Sequence, residues 1–260
     1  MQYQSRILGT GSYLPSRTLT NSDLEKTLDT TDAWIRERTG IRQRHVAAAD
    51  ETLCSISTTA AKIAMAEAGV TAAEIDAIVF GTCSPDKLLP ATAVELQAAL
   101  GATRAAAFDI NAACSSWLYG MQLAEGLLAA GNAETVLVMG GEILSRIVNW
   151  KDRNTCVLFG DGAGATVVRR STRHRGILSA YMRSDGTLAK LLYRPAVDSD
   201  RANGPSAILT GHLEAHGPGG AIKSPGMVHF GEVVIFGRQP EYRNRGSAPV
   251  RQLLGKLGRC

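Results

Sequence analysis

An α/β fold, with a parallel sheet covered by helices on both faces, is predicted by three features of this 260-residue sequence. Short runs at 77–80, 105–110 and 135–140 are apolar without the alternation of a half-solvated strand, as expected where both faces are buried. Between them lie stretches with apolar residues at helical spacing, stopped by Gly69, Gly101 and Gly131. Hydrophobic residues make up 45% of the chain but aromatic ones only 5%, which suits helices packed closely on a sheet through small side chains. Apolar strands alternating with amphipathic helices imply crossover connections and a layered architecture.

Taken in order, residues 6–11 read as a first strand ending in a glycine turn, with 12–15 a loop. Asn21, Ser22 and Asp23 cap a short helix through Leu28. Thr30, Thr31 and Asp32 open a second helix that carries Trp34, Ile35 and Arg38 and stops at Gly40. Residues 55–68 place Ile56, Ala60, Ile63 and Ala64 on one helical face before Gly69, and Thr71 with Glu74 has the spacing of a capping box. The strand at 77–80 leads to Gly81, a loop at 85–90, a helix at 91–100 and the strand at 105–110. A helix over 115–130 carries Leu118, Met121, Leu123 and Leu127 and precedes the strand at 135–140. Gly160-Asp-Gly-Ala-Gly-Ala165 lies between apolar runs at 155–159 and 165–168, which predicts a tight strand-to-strand turn.

The composition narrows the function classes. Low aromatic content and the absence of any nucleic-acid motif argue against a stacking surface for bases. The formal charge of +4 resides in residues 226–260, where Arg238, Arg243, Arg245, Arg251, Lys256 and Arg259 face only Glu232 and Glu241. A solvated basic tail explains it without a polyanionic partner. Five cysteines (Cys54, Cys83, Cys114, Cys156 and Cys260) are odd in number, widely spaced and free of Cys-x-x-Cys pairs, so neither a disulfide framework nor a metal site is expected. The chain opens Met-Gln-Tyr-Gln-Ser-Arg without an apolar leader, and no run approaches a membrane span, so a cytoplasmic location is expected.

Cys114 is the candidate for chemistry. It sits where the strand at 105–110 turns into a helix, where unpaired N–H groups and the helix dipole favour thiolate. That is how a nucleophilic cysteine is activated; a small core residue is the other reading. Trp34 and Arg38, four apart, share one helix face. They read either as a core tryptophan beside a surface arginine or as stacking groups for a flat heterocycle. Gly9-Thr-Gly11 lacks the third glycine of a dinucleotide fingerprint, and Gly160–Ala165 lacks the Lys-Ser/Thr of a phosphate loop.

Six segments in order carry a resemblance: Gly9-Thr-Gly-Ser-Tyr-Leu-Pro15, Asp29-Thr-Thr-Asp-Ala-Trp-Ile-Arg-Glu-Arg-Thr-Gly-Ile-Arg-Gln-Arg-His45, Phe108-Asp-Ile-Asn-Ala-Ala-Cys114, Asp152-Arg153, Phe159-Gly-Asp-Gly-Ala-Gly-Ala165 and Ser184-Asp-Gly186. Over roughly residues 6–192 the chain resembles β-ketoacyl-acyl-carrier-protein synthase III, the condensing enzyme family that starts bacterial fatty acid synthesis. The resemblance implies a thiolase-like layered αβαβα fold. Its first half, at 1–170, is complete and carries the nucleophile; an incomplete second half begins at 171–225, and 226–260 is a divergent basic tail. It implies Cys114 as acyl acceptor from acyl-CoA, Trp34 with Arg153 as the adenine sandwich, and Thr30 and Arg38 as further coenzyme A contacts. Leu89 falls where a bulky residue of a partner subunit gates the acyl pocket, and Leu144 and Phe159 match positions that line it. The implied partners are acyl-CoA, acyl carrier protein and a second copy in a homodimer; coenzyme A enters as substrate thioester and no cofactor is implied.

The family's His and Asn, carried in Pro-His-Gln-Ala-Asn and Gly-Asn-Thr-Ser motifs, have no matching segment here, and no catalytic role falls to His45, His174, His212, His216 or His229. Condensation is therefore expected to be weak or absent. Two other functions stay open: a Cys114 acyl carrier that transfers without condensing, and a catalytically inactive homologue that dimerises. A nucleotide-binding Rossmann protein is the rival at the level of fold.

Overall fold

The computed structural model describes residues 4–171, 176–189, 191–194, 214–215 and 232–236. In chain order the elements are β1 (Gln4–Tyr13), β2 (Thr18–Thr20), α1 (Asn21–Glu25), α2 (Asp32–Thr39), β3 (Gln43–His45), α3 (Leu53–Ala68), β4 (Ala77–Gly81), α4 (Thr92–Leu100), β5 (Ala106–Ile110) and α5 (Ser116–Ala129). They continue with β6 (Thr135–Ile143), α6 (Arg153–Cys156), β7 (Asp161–Ser171), β8 (Gly176–Tyr181), β9 (Leu192–Tyr193), β10 (Glu214–Ala215) and β11 (Glu232–Phe236). Five strands make the main sheet in the order β1-β7-β6-β4-β5, and β2–β3, β8–β11 and β9–β10 pair separately.

The sheet is mixed, which corrects the expectation of a wholly parallel one. β4 runs parallel to β5 and β6, whereas β7 runs antiparallel to both β6 and β1. The connection after β6 returns to the end it left, for Ile143 pairs with Asp161. A chain that re-enters a sheet at the same end must run back antiparallel, and apolar periodicity carries no sign of that direction.

Alternate strand residues enter opposite layers. Ile78, Phe80, Leu137 and Met139 pack under α3 and α4 beside Ile56, Ala60, Ala64 and Leu96. Ala77, Val79, Val136 and Val138 meet Met121, Ala124 and Leu128 of α5. Both faces are thus sealed, which is why these strands lack alternation. Each fully buried large side chain contributes about 1.5–3 kcal/mol. A third cluster, Leu24, Ile35, Val148, Cys156 and Val157, holds α1 and α2 against α6, with Trp34 and Phe159 at its margin.

Helix ends follow the sequence closely. Gly40, Gly69 and Gly101 close α2, α3 and α4 at φ of 73°, 65° and 72°. Thr20 and Thr52 each form a capping box, and Thr31 caps α2 by accepting from the Trp34 amide at 3.0 Å. α1 ends at Glu25, short of Leu28.

Two glycine readings need correction. Gly9 and Gly11 are not a turn, because β1 runs through both to Tyr13. A Cβ on Gly11 would lie 2.2 Å from the Ala60 carbonyl, and one on Gly9 2.5 Å from that of Ala64. The pair brings α3 backbone onto the sheet. Nor is the run at 160–165 a turn between strands. Asp152 caps the helical turn α6 where a strand was expected, and residues 161–165 open β7. The Asp161 carboxylate accepts from the Ala47 amide at 2.7 Å, the Ser145 amide at 2.8 Å and the Ser145 hydroxyl at 2.6 Å, and so anchors the strand's first residue. Most of 171–225 and 226–260, with His174, His212, His216 and His229, lies outside the described residues.

Candidate active site

β5 ends at Ile110, and the chain reaches α5 through a single 3-10 turn, Ala113–Ser115. Cys114 occupies the middle of that turn and is exposed. The strand-to-helix position expected for it is therefore correct, with the helix itself starting later, at Ser116. Ala113, just before it, has φ of 48°, the left-handed region, which costs an L-residue roughly 1–2 kcal/mol. Ser116 holds this conformation: its hydroxyl donates to the Ala113 carbonyl at 2.7 Å and accepts from the Ala112 amide at 2.8 Å. Asn111 Oδ1 accepts from the Ala113 amide at 3.1 Å. Gly81 makes room for the arrangement, since a Cβ there would lie 2.5 Å from Ser116 Cβ.

The Cys114 turn lines a cavity of about 700 Å³, within the range of small-molecule sites. Its wall includes Ile143, Leu144, Ile147 and Phe159, while Asn111, Arg146 and Arg194 add polar groups. Leu144 and Phe159 line the same cavity as Cys114. Apolar walls around a thiol suit an acyl chain.

One further group of the cavity wall, and a carboxylate behind it, carry no motif signal in a local stretch of sequence. Cys83, just after β4, also lines the cavity, and its amide donates to Glu142 Oε1 at 2.8 Å. Glu142 Oε2 accepts from the Thr82 hydroxyl at 3.2 Å and from the Ser84 hydroxyl. Burial pushes the Glu142 carboxyl above the usual carboxylate range. Burial, and then the Glu142 charge, push the Cys83 thiol up to about 12. A lone carboxylate inside the apolar run of β6 was the available signal.

Trp34, Arg38 and Arg153 form a second cluster. The Arg38 and Arg153 guanidinium carbons lie 4.4 and 4.7 Å from the Trp34 ring centroid. Arg153 also donates to the Asp29 carbonyl and lies 3.5 Å from the Asp29 carboxylate. The expected sandwich is thus closed on itself, for a flat ring between Trp34 and Arg153 needs about 7 Å, two ordinary contact distances. Phe159 links the clusters, lining the cavity and packing in the small core that Trp34 borders. Thr30 lies beside this cluster next to Asp29, its hydroxyl buried without a partner. Leu89 is 86% exposed and does not line the cavity. His45 lies outside the cavity wall, its Nδ1 2.6 Å from the Pro15 carbonyl.

Among the described residues no group of His, Cys, Asp or Glu is arranged to hold a metal ion, and no helix is long and apolar enough to cross a membrane. The family model of 3-oxoacyl-[acyl-carrier-protein] synthase III matches residues 108–186, which include Cys114 and Phe159. A β-ketoacyl-[acyl-carrier-protein] synthase III of Rhodospirillum centenum is 50% identical over 222 residues, 84% of this chain and 67% of that one. Its counterpart in Xanthomonas campestris is 52% identical over 209 residues, 79% of this chain and 64% of the relative. The chain spans about two thirds of the length of these relatives. Among solved structures, a 3-oxoacyl-[acyl-carrier-protein] synthase III of Aquifex aeolicus aligns with TM-score 0.73 at 44% identity, covering 81% of this chain and 64% of that one. A priming β-ketosynthase from a polyketide biosynthetic pathway aligns with TM-score 0.76 at 34% identity, covering 82% and 63%.

Proposed function

The chain belongs to the β-ketoacyl-[acyl-carrier-protein] synthase III family, and on that premise we propose that it is an acyltransferase whose Cys114 takes an acyl group from acyl-CoA and passes it to a malonyl-acyl-carrier protein. The observation that carries the reading is the exposed Cys114 turn at the wall of an apolar cavity of about 700 Å³. In the first step the Cys114 thiol gives up its proton, its sulfur bonds to the acyl carbon, and the bond to coenzyme A sulfur breaks, the departing thiolate taking a proton. The acyl chain then lies against Leu144 and Phe159. In the second step malonyl-acyl-carrier protein loses carbon dioxide, its carbanion bonds to the same carbon, and the bond to Cys114 sulfur breaks.

Trp34, Arg38, Arg153 and Thr30 are the proposed coenzyme A contacts. Adenine stacks on Trp34 by displacing a guanidinium, which remains nearby for phosphate. The reaction calls for no cofactor beyond the coenzyme A of its substrate. A second copy is the proposed partner at β5, which ends the main sheet with only β4 beside it among the described residues. Leu89, exposed and outside the lining of its own cavity, is proposed to reach the partner's. The site is proposed to work without a catalytic histidine from the described residues.

Incubation with labelled acetyl-CoA and malonyl-acyl-carrier protein tests the reading. A thioester on the Cys114 peptide, absent in Cys114→Ala, together with a 3-ketoacyl product is the expected result. No label on the native chain overturns it. Label without condensation product is the result that favours transfer to another thiol, the reading that the missing His and Asn motifs support.

A further inference from the structure

Two thiols line the cavity, Cys83 and Cys114, and the proposed reaction uses one. They approach from neighbouring strand ends, since Thr82 donates its amide to the Ile110 carbonyl at 3.2 Å. Cys114 is exposed and Cys83 half-buried. What separates them chemically is the burial of Cys83 and then Glu142, on the adjacent β6. Glu142 receives the Cys83 amide at 2.8 Å, the Thr82 hydroxyl at 3.2 Å and the Ser84 hydroxyl. Ser84 Oγ in turn accepts from the Ile143 amide at 2.9 Å, which locks the turn to β6.

We propose that Glu142 is a positioning residue that ties the Thr82–Ser84 turn and sets a carboxylate beside the residue that carries the second thiol, so that Cys114 rather than Cys83 takes the acyl group. The inference rests on the reading of Cys114 as acyl acceptor. A half-buried carboxylate that holds three donors of one turn fixes where the Cys83 sulfur lies. Its negative charge opposes a second negative charge on that sulfur. The other titratable groups facing Cys83 are Cys114, from the turn before α5, and Arg194, after β9. Cys114 acts in the same direction as Glu142 and Arg194 in the opposite one. A thiol kept in its S–H form attacks a thioester poorly, because the thiolate is the nucleophile. Without Glu142, burial alone would hold Cys83 back, and an acyl group that reached Cys83 would lie off the path to the carrier protein.

Site-resolved alkylation tests this on the full chain. Iodoacetamide is applied from pH 7 to pH 10, and the Cys83 and Cys114 peptides are followed by mass spectrometry. Cys83 is expected to lag Cys114 by about tenfold or more at pH 8. Glu142→Gln is expected to raise the Cys83 rate about tenfold at the same pH, one unit of thiol acidity. Glu142→Asp, which keeps the charge but withdraws it by one methylene, is expected to fall between the two, and it decides the matter if the glutamine variant does not fold. Equal rates at the two thiols in the native chain, or a Cys83 rate unmoved in a folded variant, overturn the proposal. A purely structural clamp would leave the pH profile of Cys83 in place. Acyl loading is read separately with labelled acetyl-CoA. Failure to load Cys114 in the native chain counts against the functional reading, whereas label appearing on Cys83 in Glu142→Gln supports the selection of thiols.

Discussion

Gly11→Ala is the sharpest test of how β1 and α3 fit. The added Cβ would lie 2.2 Å from the Ala60 carbonyl oxygen, 2.5 Å from the Ala64 amide nitrogen and 3.0 Å from Ile63 Cβ. Ordinary contact begins at 3.4 Å, so α3 has to retreat by about 1.2 Å from that carbonyl. Two of the three neighbours are backbone and cannot rotate away. Retreat would loosen Ile56, Ala60 and Ala64, none more than 1% exposed, against the sheet. Overpacking of a core costs typically 1–3 kcal/mol, and a rigid backbone neighbour places this site near about 3 kcal/mol. For a chain of this size that lowers Tm by roughly 6–12 °C. Thermal unfolding followed by circular dichroism measures it. Gly40→Ala is the control: its φ of 73° is strained for alanine, but nothing lies within 4 Å of the added Cβ, so a loss of about 1 kcal/mol is expected. A Gly11→Ala Tm within about 2 °C of the native value would refute the close-packing argument.

Asp161→Ala strands the Ala47 amide and both Ser145 donors. A loss of about 3–5 kcal/mol in urea unfolding is expected, and a loss below about 1 kcal/mol would mean that the β7 anchor is dispensable. Trp34→Ala removes the surface on which Arg38 and Arg153 stack. Coenzyme A affinity is expected to fall about tenfold by isothermal titration; unchanged affinity would take Trp34 out of the adenine site.

Local rules made much of the chain legible in advance. Gly69 and Gly101 mark helix ends because only glycine takes positive φ at little cost. Thr71 and Glu74 close their box within one turn, the Thr71 amide donating to Glu74 at 2.8 Å. The role of Gly9 and Gly11 is hidden from local rules because their partners are about 50 residues away in α3. The same distance in sequence hid the Cys83–Glu142 contact, whose residues are 59 apart.

By itself the sequence determined most of the alternation of helices and strands, the glycine stops of α2, α3 and α4, and Cys114 at a strand-to-helix turn. Those features depend on neighbours a few residues apart. Only the tertiary structure decided that β7 runs antiparallel, that Trp34 is stacked by two guanidinium groups, and that a carboxylate on β6 ties the turn carrying one of two thiols in the same cavity. Strand direction and side-chain pairing across a sheet depend on which distant segments meet. That choice is made by burial of both sheet faces at once, which no local window contains.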